Sequence, residues 1–200
     1  TEKFNQWIIE NDPISKYLSS AGVQFVSKVK PFELAKIRLF NGIHSYLAYF
    51  GEIHGIEFVA DVIGLPGMEK FVQEMQEDEI SKTIEIDIDL KKYASEIRNR
   101  MANKTLFHKC RQIAMDGSQK MPQRIIGSLN DLAKLNFPAP KLAIAYATWI
   151  NYLATSNAIN DPLASELIGI AKTKNLRGIS ALLAVPVDEK YDAEIRKHLT

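Results

Sequence analysis

The sequence predicts a mainly α-helical domain with a small β element at its N-terminal edge. Three observations predict it. Apolar residues recur at helical spacing almost without a break after Pro31, and helix-start signals punctuate that stretch. Only two short runs, both ahead of Pro31, are rich in aromatic and β-branched residues.

Those two runs, residues 4–10 (FNQWIIE) and 22–27 (GVQFVS), read as strands, with turn chemistry at Asn11-Asp12-Pro13 between them. Pro31 suits the first turn of a helix and Glu33 complements its dipole, so a long helix is expected over about residues 32–53. GIEFVADVIG, residues 55–64, opens a second. In residues 65–84, Met68, Phe71, Val72 and Met75 form one apolar stripe opposite a mixed charged face. In residues 87–103, Asp87 or Asp89 caps a helix that lines up Leu90, Tyr93, Ile97 and Met101. Further helices are expected over residues 105–115, 122–135, 141–155 and 162–172. Two short ones close the chain, near 177–184 and 188–199, starting at Asn175 and at Pro186-Val187-Asp188.

The totals exclude several classes. The chain has 200 residues, 46% hydrophobic and 24% charged, which suits one globular domain with a sizeable core. A formal net charge of +1, with basic residues interleaved among acidic ones, gives no global field for nucleic acid or an acidic membrane. Cys110 is the single cysteine, so no intramolecular disulfide forms and a cysteine-based zinc site is not expected. No apolar run reaches membrane-span length and TEKFNQWIIE has no signal-peptide pattern, so a cytoplasmic protein is expected. The chain opens on Thr1, close to an apparent strand, which suggests a segment of something longer.

The stretch KIRLFNGIHSYLAYFG, residues 36–51, carries the chemistry. At about 100° per residue, Asn41 lies near 140° from Lys36 and His44 near 80°, so the three polar groups share one arc. Leu39, Tyr46 and Phe50 take the opposite side, Phe40 and Leu47 fall within the arc, and only Arg38 and Ser45 look fit for water. A helix apolar nearly all round is expected to be buried. Each polar residue alone has a bland reading: a core histidine, a snorkelling lysine, an Asn-Gly packing contact. Together they are a set. A partly buried lysine tends toward its neutral form and suits a general base, an amide can steady a developing oxyanion, and an imidazole can hold a hydroxyl. Oxidising an alcohol to a ketone needs those three, with the hydride passing to a cofactor.

KIRLFNGIH, a Lys-x4-Asn-x2-His pattern, resembles the signature of the polyol-specific long-chain dehydrogenases, the mannitol dehydrogenase and fructuronate reductase (D-mannonate oxidoreductase) family. FNQWIIEND, GVQFVSKVKPFELA and the block CRQIAMDGSQKMPQRI at residues 110–125 extend the likeness, and NDPLA near Asp161 adds a weaker match. The resemblance implies a multi-helical substrate-binding domain of the 6-phosphogluconate dehydrogenase C-terminal-like type over residues 30–200. Residues 1–29 are then a short β element leading from a Rossmann domain. It implies Lys36 as general acid/base, Asn41 as the donor that polarises the reacting oxygen, His44 as a substrate contact and Lys120 as a basic residue lining the pocket. Arg38 and Gln112 complete the candidate substrate contacts, Gln112 standing where polyol-oxidising relatives place a basic residue. The block's own residues also read as a helix–loop–helix connection, with Asp116-Gly117-Ser118 as turn or cap and Pro122 as a first helical residue.

The implied cofactor is NAD or NADP, held mainly by a Rossmann domain whose Gly-x-Gly-x-x-Gly is absent from this chain. The implied partners are that domain and a small sugar acid or polyol, with no metal, nucleic acid or membrane. The block looks closer to the fructuronate reductase side, and mannitol/fructose-type 2-dehydrogenation is the alternative. Asn11-Asp12 in place of the common Asp-Asn, and PISKYLSS in place of a longer loop, leave substrate identity open. A non-catalytic helical interaction or dimerisation module is the competing class. A metal site at His44, His54, Glu52 and Glu57 is disfavoured, because the spacing lacks the His-x3-His of a helical zinc site.

Overall fold

The computed structural model describes residues 7–11, 17 and 22–200. The strand residues expected at 4–6, Asp12 and most of the PISKYLSS segment lie outside them. Strands β1 (Ile8–Glu10) and β2 (Gln24–Val26) pair in parallel, with Ile8 opposite Gln24 and Glu10 opposite Val26. Glu10 Oε1 accepts from Val29 N at 2.9 Å, which ties the strand pair to the start of the first helix.

That helix runs on as α1 (Lys30–Ala35), a π-helical segment (Lys36–Gly42) and α2 (Ile43–His54), and ends where Gly55 turns left-handed at φ 69°. The second expected helix is only α3 (Val59–Ile63), because Phe58 is extended and pairs with Lys109 in an isolated antiparallel bridge. Then come α4 (Met68–Glu74), a π segment (Met75–Glu79), a 3-10 turn (Ile80–Thr83) and α5 (Leu90–Met101), whose first turn is capped by Asp89 through Lys92 N at 3.0 Å.

Two expectations in the next stretch are corrected. Residues 105–115 are not one helix: a 3-10 turn (Lys104–Leu106) precedes Phe107 at φ 48°, and α6 (Cys110–Ile113) is a single turn. The Phe58–Lys109 bridge claims the backbone in between. Nor does Pro122 start a helix. It sits inside a continuous run of α7 (Gly117–Met121), a π segment (Pro122–Ile126) and α8 (Gly127–Lys134). Proline has no N–H to give the preceding turn, and the helix widens there, Gly127 N donating to Pro122 O five residues back.

Helices α9 (Pro140–Thr155), α10 (Ala164–Lys172), α11 (Leu176–Leu182) and α12 (Asp192–Arg196) complete the domain. Asn175 and Asp188 cap as their positions suggest, accepting from Gly178 N at 3.0 Å and Lys190 N at 2.9 Å. The start of α9 is capped from a distance: buried Glu79 accepts from Lys141 N and Leu142 N, both at 2.8 Å. One core joins α2 and α9, with Leu39, Ile43, Leu47, Tyr49, Tyr146 and Trp149 withdrawn from solvent. Among the described residues, no helix is long and apolar enough to cross a membrane.

Candidate active site

The site is built on the π segment Lys36–Gly42. A π turn closes its hydrogen-bonded ring one residue later than an α turn, so residues five apart move toward one face. Asn41, five residues after Lys36, therefore lies nearer to it than a uniform α-helix would place it. The winding returns to α at Ile43, and His44 follows Asn41 by three residues, a spacing that shares a face.

The segment is held from behind. Ile43 N donates to Phe40 O, and Gln76 Nε2 donates to Leu39 O at 3.0 Å. Gln76 is fully buried; its Oε1 accepts from Arg98 Nη1 at 2.8 Å, and Arg98 Nη2 reaches Glu77 Oε1 at 3.1 Å. In front, the segment meets the π segment Pro122–Ile126 so closely that a β-carbon on Gly42 would stand 2.9 Å from Arg124 O.

The predicted residues divide. His44 is partly buried, its Nε2 is sealed from solvent, and that atom has no partner among the described residues. Burial, then the nearby charges of His108, Arg124, Arg100 and Lys120, push its pKa down to about 3. Its ring lies 5.0 Å from that of His108 and 5.5 Å from that of Phe40. Asn41 is half-buried, its carbonyl accepts from Arg124 Nη1 at 3.4 Å, and its side-chain amide is not engaged among the described residues. Lys120 Nζ donates to Met115 O at 2.5 Å and Ile113 O at 3.3 Å, and burial, with Arg124 beside it, holds its ammonium below the usual lysine range.

Lys36 is exposed, which corrects the expectation of burial for that side chain. Arg38 and Ser45, expected to face water, are buried instead. The helix of residues 117–134 packs over that side: Arg38 Nη2 pairs with Asp131 Oδ2 at 2.6 Å, Arg38 Nη1 reaches Thr83 O at 3.3 Å, and Ser45 Oγ accepts from Arg124 Nη1 at 2.9 Å. Arg38 is thus taken up by an ion pair and is not among the charges that act on His44. Gln112 is exposed on α6.

The sequence reading missed Arg124, Arg100 and His108. Arg124 stands four residues after Lys120 in the same helix, so it shares a face with a residue already singled out. Arg100 stands 4.9 Å over the Phe40 ring, a contact with no sequence signal. The NDPLA match also gains a reason. Asp161 Oδ2 accepts from Ser118 N at 2.7 Å and Asp116 N donates to Asn160 O at 2.9 Å, so this segment holds the start of the Lys120–Arg124 helix. Cys110 is buried, its thiol pushed up to about 12 by that burial, and it is no nucleophile. Among the described residues no group of three or more His, Cys, Asp or Glu is placed to hold a metal ion.

Comparison with known proteins gives a consistent set. The family described as mannitol dehydrogenase C-terminal domain matches residues 28–198. The chain is 35% identical to the D-mannonate oxidoreductase of Escherichia coli, over 96% of this chain and 43% of that protein. It is 29% identical to the mannitol 2-dehydrogenase of Aspergillus niger, over 98% of this chain and 44% of that protein. A solved ternary complex of Pseudomonas fluorescens mannitol 2-dehydrogenase with NAD and D-mannitol superposes with a TM-score of 0.83 at 26% identity, over 98% of this chain and 43% of that one. The chain thus spans less than half the length of these relatives.

Proposed function

The chain belongs to the mannitol dehydrogenase C-terminal domain family, and from that premise we propose that it is the catalytic and substrate-binding part of an NAD(P)-dependent oxidoreductase. The reaction interconverts a ketose or keto-uronate and its polyol or aldonate. Residues 30–200 form the substrate domain, and residues 1–29 lead from a Rossmann domain that holds the cofactor. The length of the relatives, and the NAD in the Pseudomonas fluorescens complex, support that division.

The observation that carries the reading is unspent hydrogen-bonding capacity on one helix face. Asn41's amide and His44's Nε2 have no partner among the described residues, and Lys36 precedes them on the same helix. A polyhydroxy chain supplies the missing partners. In reduction, Lys36 delivers a proton to the ketone oxygen while the Asn41 amide donates to that oxygen as charge builds on it. Neutral His44 fixes a neighbouring hydroxyl. Oxidation runs the same steps backwards, Lys36 taking the hydroxyl proton. The nicotinamide, when bound, supplies or takes the hydride.

Fructuronate and D-mannonate are the preferred pair in this reading, because Arg124, Arg100 and Lys120 lie near enough to act on His44 and an acidic sugar meets that positive charge. A neutral mannitol/fructose pair is the second reading, supported by the D-mannitol in the superposing complex.

The test is kinetic. The complete protein carrying this chain is assayed on ketoses, keto-uronates and alditols with NADH, NADPH and their oxidised forms. Lys36→Ala lowers kcat by roughly 10²–10⁴-fold while the melting temperature holds, since Lys36 is exposed. No turnover of any of these by wild type, or a Lys36→Ala variant as active as wild type, sinks the catalytic reading and favours a non-catalytic helical module.

A further inference from the structure

Arg38, Arg98 and Arg124 are each drawn at least partly into the helical body, and the first two have a carboxylate. Arg38 pairs with Asp131 and Arg98 with Glu77. Arg124 is the exception. Among the described residues only its Nη1 is engaged, by Ser45 Oγ and by the Asn41 carbonyl, both neutral. No carboxylate meets it among the described residues, and its Nε and Nη2 are not sealed off.

Drawing a cation even partly out of water without an anion is unfavourable. The charges nearby deepen that cost. Lys120 stands on the preceding turn of the same helix, spending its ammonium on the carbonyls of Ile113 and Met115. Arg124 acts on His44 together with Lys120, Arg100 and His108, the His44 and His108 rings lying 5.0 Å apart and Arg100 over Phe40. Asp116 and Asp161 act on Lys120, but Asp161 is committed to Ser118 N and Leu163 N. The edge left open on Arg124 is the planar fork that fits a carboxylate with two parallel bonds.

We infer that Arg124 grips the carboxylate of an acidic sugar and so sets the preference of this site for a keto-uronate or aldonate over its neutral counterpart. The inference rests on the oxidoreductase reading above and names the residue that would select the substrate. The position is suited to that role. Arg124 donates to the backbone carbonyl of Asn41, which ties its guanidinium to the residue assigned to the reacting oxygen.

The experiment uses the complete protein with its nicotinamide cofactor and compares D-fructuronate with D-fructose, which differ in one terminal group. Wild type favours fructuronate. In Arg124→Gln the ratio of kcat/KM for fructuronate over fructose falls roughly 10- to 100-fold, the size of one charge-assisted bidentate contact. The loss sits in KM, and Arg124→Lys, which keeps the charge and loses the fork, falls between. Melting temperatures report whether each variant folds, and the Lys variant decides the matter where the Gln variant does not. Equal losses on the two substrates, or a wild type that prefers fructose, overturn the role of Arg124 while the oxidoreductase reading stands. A wild type that reduces neither overturns that reading itself.

Discussion

His44 shows how one residue's surroundings set its chemistry. Its imidazole is screened from water, and the four charges acting on it most strongly are cations or can become cations. It stays neutral, able to accept or donate one hydrogen bond, across the range where an ordinary histidine titrates. The consequence reaches stability. The unfolded imidazole takes a proton near pH 6.5, while the folded one resists until about pH 3, so the unfolded state binds more protons between those values. Stability therefore falls as pH drops through that window, by at most about 1.4 kcal/mol per pH unit from this group. Urea unfolding from pH 7 to pH 4 measures it. His44→Asn removes the titration, so the gap between variant and wild type shrinks or reverses toward pH 4. A constant gap across that range would mean the folded imidazole titrates normally.

At the scale of elements, the π segment that carries the candidate residues is tied to its neighbours by specific bonds. Gln76 supplies the link, one side chain bonding both the Leu39 carbonyl and Arg98. Gln76→Leu keeps the volume and leaves a buried carbonyl and a buried guanidinium nitrogen unpaired, a cost of about 2–4 kcal/mol. The urea midpoint falls accordingly, and amide exchange quickens across residues 36–44. Quickening spread evenly over the domain would mean the bond does not hold the segment. Much of this level was legible in the sequence. The helix order, the apolar stripes and the caps at Asp89, Asn175 and Asp188 follow from local rules that the chain obeys. The π turns do not, because their widened geometry is stabilised by partners such as Gln76, which is 37 residues away from Leu39. Arg38 and Ser45 were misjudged for the same reason: a uniform 100° wheel has no knowledge of the helix that packs across them. Lys36, Asn41, His44 and Lys120 stand out in the pattern as candidates, whereas Arg124 was hidden in a run whose helix was expected to begin only at Pro122.

Across the whole molecule, the helix carrying the site is fixed by backbone approaches too close for any side chain, and this makes a contrast between two glycines informative. Gly51 lies on the buried face of α2, where a β-carbon would stand 2.5 Å from Cys110 Sγ and 3.0 Å from a Val62 methyl. Gly169 lies within α10, where a β-carbon would meet nothing within 4 Å. The same chemical change has opposite signs at the two. Gly169→Ala reduces the freedom of the unfolded chain and stabilises by about 0.4–1 kcal/mol. Gly51→Ala forces α2 away from α6, and overpacking of that kind destabilises by about 1–3 kcal/mol. Because Cys110 is the nearest obstacle, removing its sulfur makes room. Gly51→Ala with Cys110→Ala should therefore be more stable than the sum of the single changes, a coupling of about 0.5–3 kcal/mol. Denaturant unfolding of the four chains closes the cycle. Additive effects would show that α2 and α6 can part without resistance, and the site helix would then be less firmly seated than its packing implies.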